Sequence, residues 1–137
     1  MLSVLVLSHD DGFRLECAEA LRQDGYRPFL VTSESGVTEL FEGSGKIDAV
    51  IVNANEPNEE THRVLDYLAQ FRPRVSVLLT CDYFNYWNDF VTWLADGCLV
   101  TPSDKRGLST TIGELIAGRA SRMQKPEADG FAVEWNG

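Results

Sequence analysis

Apolar runs alternate along the chain with segments whose apolar positions recur at helical spacing. Leu2-Ser-Val-Leu-Val-Leu7 reads as a buried strand, ended by the polar stretch Ser8-His-Asp-Asp-Gly12. Phe13, Cys17, Ala20 and Leu21 then repeat at helical spacing, with Asp10 or Asp11 as N-cap and Asp24-Gly25 as the stop. Pro28-Phe-Leu-Val31 is a short strand whose leading proline points to a sheet edge. Val37, Leu40 and Phe41 predict a short helix closed at Gly43-Ser-Gly45, and Ile47-Asp-Ala-Val-Ile-Val52 is the next strand. Val64, Leu65, Leu68 and Phe71 form a helical stripe that stops at Pro73. Val75 to Leu79 is a strand ending at Thr80, Tyr83 to Leu94 an aromatic-rich helix, and Cys98-Leu-Val100 a short strand. Leu108, Ile112, Leu115 and Ile116 line a last helix, capped by Ser103 or Asp104.

Strands that are apolar throughout, rather than alternating, are buried on both faces. That pattern predicts an α/β domain of three layers: a doubly wound, parallel, five-stranded sheet of flavodoxin-like strand order 2-1-3-4-5, with helices on both sides. Function in such a sheet concentrates at the carboxyl ends of the strands. Those ends place Ser8, His9, Asp10 and Asp11 after the first strand and Asn53 to Pro57 after the third. Thr80 and Cys81 follow the fourth, and Thr101-Pro102 the fifth. The expected domain covers residues 1–121, leaving 122–137 as a C-terminal tail.

Composition narrows the picture. The 137 residues are 44% hydrophobic and 24% charged, enough for one sizeable core. With 21 acids against 12 bases the net charge is −9, which repels nucleic acid and anionic lipid alike. No apolar stretch approaches a bilayer span and no signal peptide opens the chain, so a cytoplasmic location is expected. Cys17, Cys81 and Cys98 are odd in number and widely spaced, unlike a disulfide framework or a zinc site, and read as small buried hydrophobes.

Nucleotide chemistry finds no purchase here. The first turn, Ser-His-Asp-Asp-Gly, matches neither a dinucleotide fingerprint nor a Walker loop. Nucleophilic catalysis by Ser8 or Cys81 with His9 as base is disfavoured, because adjacent Ser8 and His9 on a strand end point to opposite faces. His62 falls within a helical pattern and reads as a surface or satisfied helix residue.

The loop positions match another pattern. Val50-Ile-Val-Asn53 with Pro57 four positions on, Leu78-Leu-Thr80-Cys81, and Ala95-Asp-Gly-Cys98-Leu-Val-Thr101-Pro102 together resemble the CheY-like receiver domains of bacterial response regulators, over residues 2–120. The resemblance implies a fold of that order and a site built from an acidic pair that holds Mg²⁺, an acceptor Asp, a Thr or Ser, and a Lys before a cis-proline.

At those positions the charged groups are gone. Asn53 stands at the acceptor place, and an amide lacks the carboxylate nucleophile of an acyl phosphate. Ser8 and His9 replace the acidic pair, Thr101 the lysine and Cys98 the aromatic switch, while Thr80 and Pro102 persist. Sliding the register to make Asp10-Asp11 the pair overextends the strand and still leaves Asn53. The resemblance is therefore to a degenerate receiver, a pseudo-receiver, with no cofactor, weak or absent Mg²⁺ binding and no enzymatic activity.

Such a module acts through a surface. In the helix expected over 83–94, Phe84, Trp87, Val91 and Leu94 form the stripe that packs on the sheet. Tyr83, Tyr86, Phe90 and Trp93 form a second stripe, and these surplus aromatics are the candidate partner-binding patch. The implied partner is a protein: a kinase, an effector or a second copy in a homodimer, with neither nucleic acid nor membrane. In the tail, Phe131-Ala-Val-Glu-Trp135 alternates at strand period. The expectation is a non-phosphorylatable, single-domain receiver working by protein contact in two-component or phosphorelay signalling. A small-ligand sensor or minor enzyme using the pocket at the strand ends, and a structural oligomerisation domain, are the alternatives.

Overall fold

Strand β1 (Ser3–Leu7) is buried along its whole length, as an uninterrupted apolar run requires. The structure, a computed structural model, describes residues 2–43, 46–53, 59–71, 74–81, 97–100 and 106–124. Around β1 assemble α1 (Asp11–Gln23), β2 (Arg27–Val31), α2 (Glu34–Glu42), β3 (Ala49–Asn53), α3 (Glu59–Ala69) and β4 (Ser76–Cys81). The strands run parallel in the order 2-1-3-4, and β5 (Gly97–Val100) pairs parallel with β4 on its far side. Helix α4 (Arg106–Gln124) closes the described chain.

The alternation of each strand divides the core in two. Leu5, Leu7, Val50, Val52, Val77 and Leu79 face α2 and α3, where they meet Val37, Val64, Leu65 and Leu68. Val4, Val6, Ala49, Ile51 and Leu78 face α1 and α4, against Phe13, Cys17, Leu21, Leu108 and Ile112. Each of the fully buried leucines and isoleucines contributes about 1.5–3 kcal/mol on burial. On the first side Phe41, Tyr67 and Phe71 stack edge-on and tilted at 4.8–6.1 Å and fasten α2 to α3. On the second, α4 lies so close that a Cβ on Gly113 would stand 2.9 Å from the Tyr26 hydroxyl.

Local signals set the element ends. Asp10 caps α1, its carboxylate accepting from the Phe13 N–H at 3.1 Å. Gly25, at φ +89°, turns the chain after α1, and the next N–H, of Tyr26, returns to the Leu21 carbonyl at 2.9 Å. Edge strand β2 carries a proline at its second position for a reason the ladder makes plain. Arg27 N–H donates to the Leu2 carbonyl and Ser8 N–H to the Val31 carbonyl, so Arg27, Phe29 and Val31 turn their main chain toward β1. Pro28 therefore faces away from the sheet, where a missing N–H costs no ladder bond.

Four boundaries differ from the sequence pattern. Strand β3 begins at Ala49 rather than Ile47, because buried Asp48 turns its carboxylate to the Ser3 N–H at 2.9 Å and ties two strand starts together. Strand β4 runs from Ser76 to Cys81, one residue past the end expected at Thr80. Phe71 lies beyond the end of α3, its N–H donating to the Leu68 carbonyl in a closing turn, yet it still packs on the core. Helix α4 continues to Gln124, past position 121. The expected helix over 83–94, Pro57, Thr101, Pro102 and tail residues 125–137 lie outside the described residues.

Candidate functional site

Register brings the strand-end residues together. Leu7 pairs with Val52 and Asn53 with Thr80, so Ser8, Asn53 and Thr80 continue three adjacent strands at one level. Alternation then turns all three side chains to the α1 side, the side of Val6, Ile51 and Leu78. The Thr80 hydroxyl donates to Asn53 Oδ1 at 2.8 Å, and Asn53 Nδ2 donates to Ser8 Oγ at 3.0 Å. Ser8 Oγ also accepts from the Asp10 N–H at 3.0 Å. Ser8 and Thr80 are buried. The result is a chain of uncharged hydrogen bonds across β4, β3 and the end of β1.

Neutrality matters to this packing. A carboxylate at position 53 has no N–H to offer Ser8, and charge in such a half-buried place needs a cation beside it. The two acids that follow Ser8 and His9 are engaged elsewhere. Asp10 caps α1, and Asp11 pairs with Arg14, whose Nη1 donates to the Ser8 carbonyl at 2.6 Å. Among the described residues no group of three or more His, Cys, Asp or Glu side chains is placed to hold a metal ion.

His9 turns the other way. Its Nε2 lies 2.9 Å from Glu60 Oε1 at the start of α3, with the His9 side chain 70% exposed. Glu60 Oε2 accepts the Glu34 N–H at 3.2 Å, so one carboxylate joins the first loop, the N-terminus of α2 and α3. Arg63 adds to the cluster with Nε 2.9 Å from Glu34 Oε1 and a longer 3.9 Å approach to Glu59. The hydrogen bond with His9 above all, with help from the Glu34 N–H and the charges of His9 and Arg63, holds the Glu60 carboxyl below its ordinary 4.5 against the opposing effect of burial.

The structure thus separates two residues adjacent in sequence. With Ser8 Oγ on Asn53 and His9 on Glu60, the two do not form a nucleophile–base pair. Arg14, Glu34, Glu60 and Arg63 were not singled out from the sequence. Of these only Arg14, one turn after a helix cap, carried a local signal; the others meet His9 and one another only through the fold. Thr101 and the aromatic set Tyr83, Tyr86, Phe90 and Trp93 lie outside the described residues.

Comparison with known proteins gives the fold its context. No protein-family model matches the chain, and no curated protein does. Solved structures do match. The response regulator TrrA of Thermotoga maritima, in complex with Mg²⁺ and beryllofluoride, is 23% identical with a TM-score of 0.73, over 84% of this chain and 99% of its own. A CheY-like receiver domain of Methanospirillum hungatei is 15% identical with a TM-score of 0.75, over 89% and 98%. TrrA in complex with the histidine kinase ThkA matches at 23% identity and a TM-score of 0.71, over 84% and 98%. The structural neighbours are response-regulator receiver domains, and at these identities the likeness shows the fold.

Proposed function

We propose that this chain is a receiver-like module of two-component signalling that is not phosphorylated and acts through protein contact. The observation that carries the reading is the Thr80–Asn53–Ser8 chain: the acceptor place holds an amide, already hydrogen-bonded on both sides. Phosphoryl transfer to an aspartate needs a free carboxylate oxygen, a metal to neutralise charge and a cation beside the product. Here Asp10 and Asp11, the carboxylates that follow Ser8 and His9, serve as a helix cap and as the partner of Arg14.

The same bonds weigh against a small-ligand pocket, since the polar side chains a ligand would recruit are satisfied by one another. The partner is a protein, either a kinase or effector or a second copy, with the aromatic segment 83–93 as its contact. The matched complex of ThkA with TrrA supports docking of this fold on a kinase in that protein. No enzymatic activity and no requirement for Mg²⁺ are part of the reading.

The test is intact-mass measurement after incubation with acetyl phosphate and Mg²⁺. The unmodified mass is expected, with no change in tryptophan fluorescence on adding beryllofluoride and Mg²⁺. A phosphoryl adduct mapped to Asp10 or Asp11 overturns the proposal.

A further inference from the structure

Sheet order leaves β2 as an edge strand, with β1 on one side and no described residue pairing on the other. Its outer side carries a definite set of main-chain groups. Arg27, Phe29 and Val31 bond β1, so the Pro28 carbonyl and both groups of Leu30 point outward. The Val31 carbonyl accepts from Ser8, and peptide planarity therefore turns the Thr32 N–H outward as well. Pro28 contributes no donor.

This set complements itself. Around a two-fold axis that passes by Leu30 and stands normal to the sheet, the edge meets a second copy running antiparallel. Leu30 then exchanges both of its bonds with its counterpart, and each Thr32 N–H faces the other chain's Pro28 carbonyl. The donor that proline lacks falls opposite Thr32, which is exposed.

The helix beside the edge obeys the same symmetry. Asp11, Leu15, Ala18 and Arg22 form one stripe on α1 at helical spacing. A helix winds clockwise seen from its N-terminus, and this stripe lies about 130° past the core-facing row Phe13, Cys17 and Leu21 in that sense. In a right-handed β1–α1–β2 crossover that flank is the one toward β2. Leu30 projects to the same side of the sheet, level with Val6. Leu15 at 65% and Leu30 at 36% are two of the large apolar side chains left exposed. The two-fold sets the paired α1 helices antiparallel, with their dipoles opposed and Asp11 of each toward Arg22 of the other. Asp11, although paired with Arg14, keeps 84% exposure of its side chain, and Arg22 has no ion-pair partner among the described residues. Because α1 rests on both β1 and β2, the two helix axes come about 10 Å apart, an ordinary packing distance.

We infer that two copies of this chain join through their β2 edges, antiparallel and in register at Leu30, into one continuous sheet with Leu15 and Leu30 at the seam. The inference stands apart from the phosphorylation reading and from the aromatic segment 83–93. Sedimentation equilibrium of the full chain tests it at ~0.15 M NaCl, which screens the repulsion between two chains of charge −9. A mass that approaches two chains with rising concentration is expected. Leu30→Pro costs the single chain no ladder bond, because the lost N–H faces outward. It is expected to raise the dimer dissociation constant at least ~10-fold with the circular dichroism spectrum unchanged. Leu15→Lys, at a site already in water, is expected to raise it by a smaller factor and decides the matter if Leu30→Pro unfolds. A single-chain mass throughout, or a dissociation constant that Leu15→Lys leaves unaltered, overturns the inference. Dissociation by Trp93→Ala with both seam variants inert overturns it too, by assigning the dimer to the aromatic stripe.

Discussion

Ser8 and His9 are consecutive, yet they enter two regions built on opposite physical terms. Ser8 joins a buried, uncharged chain with Asn53 and Thr80, whose strength depends on every donor meeting an acceptor away from water. His9 joins an exposed, charged cluster with Glu60, Glu34 and Arg63, whose members keep much of their hydration. The first region resembles a core and should resist salt. The second resembles a surface strap and should yield to it. Strand ends can thus carry an uncharged interior beside a charged rim, because burial penalises ions and solvent screens them.

The largest expected effect breaks the buried chain. Thr80→Val keeps the shape of a fully buried side chain but removes the donor to Asn53 Oδ1. A loss of about 1–3 kcal/mol is expected in urea unfolding, unchanged between low salt and ~0.5 M NaCl. A loss that salt abolishes would erase the contrast between the two regions.

A smaller effect follows from Glu60→Gln in the rim. Screening holds its cost below ~1 kcal/mol at low salt, and ~0.5 M NaCl should remove most of that. The pH dependence has a defined sign. Because the folded-state carboxyl sits below 4.5, its contribution is full above that value and is lost as the pH falls through the lowered pKa. Stability of wild type and variant, compared by denaturant titration, should therefore differ most above pH 4.5 and converge below it. A difference that grows on acidification contradicts the assigned role.

Arg63→Gln is expected to do least. Its guanidinium is solvated, and the bond to Glu34 adds to a helix start that the Glu60 carboxylate already supports. The melting temperature, followed by circular dichroism, should move less than in Glu60→Gln. A larger shift makes Arg63 rather than Glu60 the centre of the strap.

Much of this arrangement was legible residue by residue. The apolar runs at 2–7 and 75–79 mark buried strands because period and composition encode burial directly. Pro28 marks an edge because a ring without an N–H cannot serve a central ladder. The opposed directions of Ser8 and His9 follow from strand alternation alone. Less was legible where main-chain bonding competes with pattern: Asp48 shortened β3 by capping Ser3, a pairing across 45 positions that no local window contains.

The sequence by itself determined the layered α/β order, the amide at position 53 and the flanking hydroxyls, since hydropathy period and side-chain chemistry are local properties. Only the tertiary structure decided that Thr80, Asn53 and Ser8 share one level, that Arg14 turns to the Ser8 carbonyl, and that His9 meets Glu60 51 positions away. Those pairings depend on sheet register and helix docking, which the whole core fixes together and no single segment carries.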